Sequence, residues 1–305
     1  MSITINELDS RLKNYMDANG TEILADAVFS SKTAQLMNVQ TGVTAEQPIT
    51  VLSTSIIFGD ADTCGFEANG DDELTNRSLK PEYLKVNKTF CPKTMLNSFK
   101  HNEVKMNALG QKEAIPFEAT LLNANVETIG SEVEKLIWSG NTAKTGNISK
   151  LDGIITIATN DENVEVVAKG EKTVYQRCQD LYMAWDSTIN YQPVIWMSLS
   201  NYKKLTTELV NSNLYHVYEK QEGQNFEMIL PGTSVTIKGV TGIVGEYEDV
   251  IVMTPQENLY YGCDLENDLE TLDFYWNPST REFNFACEFS IAVNYAFSNK
   301  VLLNK

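Results

Sequence analysis

Alternation is strongest toward the C-terminal end of the chain. Phe283, Phe285, Cys287, Phe289, Ile291, Val293, Tyr295 and Phe297 occupy every second position, and Asn284, Ala286, Glu288, Ser290, Ala292, Asn294 and Ala296 fill the alternates. A strict period of two puts one set on each face of a β-strand. At about 3.3 Å per residue the strand would approach ~50 Å, against a usual length of about five or six residues. Just before it, Leu272, Phe274 and Trp276 alternate with Thr271, Asp273 and Tyr275, and Asn277-Pro278-Ser279-Thr280 carries turn residues. The pattern predicts a long hairpin. A short apolar strand, Val250–Met253, and a turn over Thr254-Pro255-Gln256-Glu257-Asn258-Leu259 precede it.

A different period governs Phe117 to Ser139. Leu122, Val126, Ile129, Val133 and Leu136 step by alternating fours and threes, which is one apolar stripe on a helix. Pro116 stands where a first turn tolerates it, and Gly140-Asn141 ends the run. Such a helix is about 33 Å long at ~1.5 Å per residue. Leu151–Thr156 then reads as a strand. Val174, Cys178, Leu181 and Trp185 mark a second helix with Thr173 as its cap. Val194-Ile195-Trp196-Met197 reads as a strand after Pro193, and Ser200 as the cap of a third helix carrying Tyr202, Leu205 and Leu209. Strand and helix alternate here, as in a small α/β unit.

The N-terminal third is less regular. Leu8, Leu12, Tyr15 and Met16 suit a short amphipathic helix within 4–18, stopped at Asn19-Gly20, and a Ser/Thr/Gln-rich stretch runs on to Pro48 as an extended arm. Ile49–Phe58 and Tyr83–Phe90 are β-rich. Between them, Gly59–Lys80 is an acidic, glycine-containing insert whose length is unusual inside a compact domain. The unit reads as a protruding two-stranded loop.

Composition narrows the function. The 305 residues include 24 Lys and Arg against 41 Asp and Glu, a net charge of −17. Sequence-independent nucleic-acid binding needs Lys and Arg on phosphates, so direct DNA or RNA binding is disfavoured. The five cysteines, Cys64, Cys91, Cys178, Cys263 and Cys287, include no CxxC pair and read as buried thiols in a reducing compartment. No charged-then-apolar leader opens the chain, and no window approaches the ~18 apolar residues of a membrane span. The expectation is a protein made in the cytosol.

Candidate chemistry is sparse. Asp60-x-Asp62-x-Cys64-Gly65, with Asp71 at the twelfth position, partly matches a calcium loop, but its fifth position is Cys and its twelfth Asp rather than Glu. A solvated acidic loop tip is the reading, with Asp60, Asp62 and Asp71 the candidate metal ligands. Gly239-x-x-Gly242-x-x-Gly245 lacks dinucleotide spacing and reads as turns or bulges. His101 and His216 are the only histidines, His101-Asn102-Glu103 lacks the second His of a zinc helix, and neither GxSxG nor a Walker A sequence occurs. No catalytic residue, cofactor or nucleic-acid site is assigned.

From about residue 47 onward the order of elements resembles major capsid proteins of the HK97 type, found in tailed bacteriophages. Three stretches carry the resemblance. One is the helix ending Leu136-Ile137-Trp138-Ser139-Gly140-Asn141, followed by Leu151-Asp152-Gly153-Ile154-Ile155. Another is the Trp185 helix followed by Val194-Ile195-Trp196-Met197-Ser198 and the Tyr202–Leu205 helix. The third is Thr254-Pro255-x-x-Asn258-Leu259-x-x-Gly262-x-Asp264 leading into the hairpin.

The resemblance implies an α+β, HK97-like capsid fold. Residues 1–46 would be an N-terminal arm and 47–98 an extended E-loop overlapping an adjacent subunit. Residues 99–139 would be the first part of a P-domain, with a long spine helix. Residues 140–249 would be an α/β A-domain, and 250–305 the second part of the P-domain, with the long β-strands. The function implied is a shell of hexamers and pentamers enclosing phage DNA without sequence-specific binding. Its partners would be further copies of itself and scaffolding, portal and decoration proteins. Assembly would take place in the host cytoplasm, the chain would end in the virion capsid, and it would be no enzyme. The alternatives are an encapsulin-like cargo compartment, a phage tail or decoration protein, or an unrecognised α/β enzyme.

Overall fold

The computed structural model describes residues 31–54, 72–91, 117–186, 191–214, 226–264 and 271–305, with a few isolated positions before residue 31. In chain order the first strands are β1 (Asn38–Thr41), β2 (Gln47–Thr54), β3 (Asp72–Leu79) and β4 (Glu82–Phe90). Helix α1 (Phe117–Ser139), α2 (Ile154–Asn160), β5 (Glu165–Val167), α3 (Val174–Ala184), β6 (Val194–Ser198) and α4 (Leu199–Asn211) follow. The rest is β7 (Glu227–Ile229), β8 (Thr236–Val240), β9 (Ile251–Thr254), β10 (Leu259–Asp264), β11 (Thr271–Asn277), β12 (Glu282–Tyr295) and β13 (Leu302–Asn304).

Strand β12 organises the first sheet. One edge pairs with β4, from Phe283↔Phe90 to Ile291↔Glu82. Its other edge pairs first with β11 and then with β10, and β1 runs parallel to β10 outside that. The odd-numbered residues Phe283 to Tyr295 are all buried, as a period of two requires. Ser290, Ala292 and Ala296 on the opposite face are buried as well. Ala292 and Ala296 lie under Val43, Ile49 and Leu79 at the base of the β2–β3 hairpin, so this end of β12 is covered on both faces.

The second sheet has the order β5-β13-β9-β6-β8-β7. The C-terminal strands, expected to lie together, are therefore divided. β10, β11 and β12 stay in the first sheet, while β9 and β13 close the second. Strand β12 stops at Tyr295 because a 3-10 turn over Ser298–Lys300 redirects the chain into β13.

Helix α1 buries its predicted stripe, Leu122 to Leu136, against the first sheet. Near its end Trp138 meets Trp196 of β6 at 5.3 Å between ring centroids, which joins the two sheets through one core. Burying side chains of this size contributes about 1.5–3 kcal/mol each. The exit of α1 is packed backbone to backbone. The Gly153 N–H donates to Gly140 O at 2.9 Å. A Cβ on Gly140 would lie 2.3 Å from Leu151 O, and one on Gly153 2.6 Å from Leu136 O. Asp152 completes the corner by accepting from the Thr142 N–H at 2.7 Å and its hydroxyl at 2.9 Å.

Three local expectations change. Leu151–Thr156 does not form a strand, because Ile154 begins α2. Ile154, Ile155, Thr156 and Ala158 are all buried, and a short run buried on every side carries no period by which helix and strand could be told apart. The cap of α4 is Ser198 rather than Ser200, since its hydroxyl accepts the Asn201 N–H at 3.1 Å and the helix starts directly from β6. The protruding loop is paired differently too. Strand β2 pairs with β3, which lies inside the segment read as an insert, while β4 belongs to the first sheet. At α3 the expected cap holds: Thr173 and Gln176 form a reciprocal capping box.

Candidate functional site

The candidate metal ligands Asp60, Asp62 and Asp71, and both histidines, lie outside the described residues. Among the described residues no group of three or more His, Cys, Asp or Glu side chains could hold a metal ion. None of the described helices is long and apolar enough to cross a membrane. The glycine triplet is structural. Gly239 is in β8, Gly245 takes a positive φ of 65°, and a Cβ on Gly242 would lie 2.0 Å from Glu134 O. Cys178, Cys263 and Cys287 are buried and Cys91 is exposed. Burial pushes the Cys178 thiol up to about 12, which removes it as a nucleophile.

The described polar clusters hold segments of the chain in place. The first fixes the root of the β2–β3 hairpin. The Arg77 guanidinium of β3 pairs with Asp161, just after α2, donates to Ser298 Oγ at 2.7 Å and lies 4.1 Å from the centre of the Tyr295 ring. The Tyr295 hydroxyl donates to the same Asp161 oxygen at 2.8 Å. Asn294 Nδ2 donates to Ser78 O at 2.7 Å. Burial pushes the Asp161 carboxyl up. The Asn163 N–H, the Tyr295 and Ser298 hydroxyls and the Arg77 charge outweigh it and hold the group well below the usual range. Burial and the bond to Asp161 push the Tyr295 phenol up.

A second cluster fastens the 31–37 segment. Glu134 on α1 is buried and faces the 31–37 segment. Its carboxylate accepts from the Ser31 hydroxyl, from the Thr33 N–H at 3.0 Å and from the Thr33 hydroxyl. The Trp138 indole N–H donates to Thr33 Oγ1 at 2.8 Å. Sequence reasoning missed Glu134, because a lone Glu between Val133 and Leu136 reads as part of the polar face. A third cluster holds β13: buried Arg177 of α3 donates to Asn304 Oδ1 at 2.5 Å and to Asp249 Oδ1 at 2.9 Å. Burial acts to raise the Asp249 carboxyl, but Lys169 and Arg177 outweigh it and hold the group at about 2.

One open groove of about 510 Å³ lies between α1 and β4. Its α1 wall includes Ile129, Val133 and Leu136, and its β4 wall is the consecutive run Tyr83–Lys88. Lys88 Nζ donates across it to Asn125 Oδ1 at 2.8 Å.

No known family model matches the chain, and no curated protein matches it in sequence. Solved structures do. The chain is similar to one from the satellite phage P4 procapsid that includes the size determination (Sid) protein. Sequence identity is 13%, 99% of this chain and 98% of that one are covered, and the TM-score is 0.64. A chain from the capsid of the empty GTA particle is 12% identical, with 90% of each chain covered and a TM-score of 0.57. The capsid of Myoviridae phage XM1 gives 12% identity, coverage of 88% and 89%, and a TM-score of 0.54. These likenesses span nearly the whole chain, and the fold is the α+β, HK97-like capsid fold.

Proposed function

We propose that this chain is the major capsid protein of a tailed bacteriophage, a structural subunit that assembles through hexamers and pentamers into an icosahedral shell around phage DNA. The observation that carries the reading is the near-complete coverage, 99% of this chain and 98% of the other, in the likeness to a procapsid chain. The division of labour follows the resemblance: arm 1–46, E-loop 47–98, P-domain 99–139 and 250–305, A-domain 140–249. The six-stranded sheet supports one adjustment, in which the A-domain draws β9 and β13 from the 250–305 segment. Assembly is the mechanism, with repeated weak interfaces closed by symmetry. The net charge of −17 lets the shell lie near packaged DNA without adhering to it. Scaffolding, portal and decoration proteins are the partners proposed, the host cytoplasm the place of assembly, and the virion the final location.

Negative-stain microscopy of the expressed protein tests this. Closed polyhedral particles or capsomer rings are expected. A monodisperse monomer that does not assemble even with its scaffolding protein would overturn it. Particles from the native host that enclose an enzyme instead of DNA would assign the same fold to a cargo compartment.

A further inference from the structure

We propose that the groove between α1 and β4 is a docking site for an extended segment of a second protein, one that reads acidic–x–apolar–x–acidic and adds as a strand beside β4. The inference goes beyond the shell reading and does not depend on it, because every residue it uses belongs to a single copy of the chain.

One wall of the groove presents backbone. Six consecutive residues of β4, Tyr83 to Lys88, line it. Alternate side chains of a strand point to opposite faces, so an unbroken run marks the strand's edge. Among the described residues β4 pairs with β12 alone. Its other edge therefore offers N–H and C=O groups to an added strand. From first to last these residues span about 16 Å at ~3.3 Å per residue, which suits a segment of five or six residues.

The side chains select its sequence. Ile129 and Val133 of α1 give the groove an apolar middle, and a lysine stands toward each end. Lys88 shares its face of β4 with Leu84, Val86 and Phe90, which pack against the core. Its ammonium donates to Oδ1 of Asn125, a residue only 5% exposed. Lys150 closes the turn Asn147–Lys150, and Asn147 Nδ2 donates to Glu132 Oε2 at 3.0 Å. From Asn125 to Glu132 is two turns of α1, about 10.5 Å. The remaining charges of the lining are matched, since Lys85 lies 2.5 Å from Glu288 and Glu132 lies 2.5 Å from Lys135. Lys88 and Lys150 have no carboxylate partner among the described residues, which leaves two uncompensated cations in a chain of net charge −17. Residues i and i+4 of a strand share a face and lie about 13 Å apart, close to the spacing of the two lysine ends. Carboxylates there meet Lys88 and Lys150, and residue i+2 covers Ile129 and Val133. Complementary charge then fixes the register of the added strand. A single-headed amphipathic anion would use one lysine and leave the β4 edge bare.

Fluorescence anisotropy of the whole protein with the labelled peptide Thr-Glu-Thr-Val-Thr-Glu-Thr tests the proposal. Saturable binding is expected. The shuffled peptide Glu-Glu-Thr-Thr-Val-Thr-Thr should bind about fivefold or more weakly, as should the original peptide to Lys88→Glu and to Lys150→Glu. Lys150 is exposed, so its variant keeps the test open if loss of the Asn125 contact unfolds the first. Two further peptides, N-methylated on one or the other set of alternate residues, should differ, because only one set of amides faces β4. No binding of the original peptide, equal binding of the shuffled one, or parental binding by Lys150→Glu overturns the inference. Equal binding by the two N-methylated peptides overturns strand addition. Dodecanoate that binds the parent but not Lys88→Glu, with no binding of the peptide, would assign the groove to a small amphipathic anion, which also overturns it. Each of these results leaves the shell reading standing.

Discussion

Replacing Arg77 with Ala should loosen the β2–β3 hairpin and leave the two large sheets intact. Arg77 binds Asp161 and Ser298, covers the Tyr295 ring and is only 21% exposed, with Asp161 at 11%. Removing one partner of a fully buried pair costs about 3–5 kcal/mol, and an exposed pair is worth ~0–1 kcal/mol. This pair is closer to the buried limit, so a loss of about 2–3 kcal/mol is expected. The loss should be local, since the hairpin otherwise meets the body through the Asn294–Ser78 hydrogen bond and the small apolar cluster at Val43, Ile49 and Leu79. Hydrogen exchange of the isolated protein reads it directly. At ~1.4 kcal/mol per tenfold, amides of β2 and β3 should exchange roughly 30- to 150-fold faster, while those of β6 and β9 change less than about twofold. Equal acceleration in β6 and β9, or less than a threefold change in the hairpin, would refute the reasoning. The acid dependence has a defined sign. The Asp161 carboxyl is held below its ordinary value of 3.8, so its contribution is complete above that pH and is lost as pH falls below it. The Arg77→Ala variant should lose less hairpin protection on acidification than the parent.

Three further outcomes follow from the other contacts. Glu134→Ala strands the buried donors of Ser31 and Thr33 at ~1–3 kcal/mol each, so trypsin should cut after exposed Lys32 at least tenfold faster; an unchanged rate refutes the anchoring of the 31–37 segment by Glu134. Gly242→Ala places a methyl 2.0 Å from a helix carbonyl oxygen and should cost about 3 kcal/mol or more, seen as a lower melting temperature or loss of soluble protein; a Tm within about 1 °C of the parent would count against that packing. Asp249, at about 2, contributes stability above 3.8 that disappears between 3.8 and about 2. Asp249→Asn should therefore flatten the difference in urea stability between pH 5 and pH 3.

The long-range periodic elements could be read from sequence because burial is one-sided along the α1 stripe and along β12 up to Glu288. The α1 stripe and the odd-numbered face of β12 each meet a core on one side, and one-sided burial writes a period into the chain. Strand β3 could not be read this way. Its sequence, Asp72–Leu79, contains only Leu74 and Leu79 as apolar residues, too few to write a period. Helix α2 failed for the opposite reason, since its apolar run is buried all round. The division of the C-terminal strands between two sheets depends on the turn after Tyr295, which leaves no periodic signature. Of the anchoring residues, Thr173 announced itself by its position before a helix. Arg77, Glu134 and Arg177 did not, because their partners are 84, 103 and 127 residues away in the chain.

Strand β13 has a consequence for the timing of folding. It sits between β5 and β9, and its Asn304 binds Val167 O across 137 residues of sequence. At about 5–20 residues per second, β5 leaves the ribosome on the order of 10 s before its neighbour exists. Until then β5 lacks the strand it pairs with among the described residues, and the edge of β9 that β13 covers stays bare. A chain halted before residue 304 cannot complete that sheet, however well its first half has folded. Completion of the second sheet is thus tied to the synthesis of β13, which among the described strands is what joins β5 to β9.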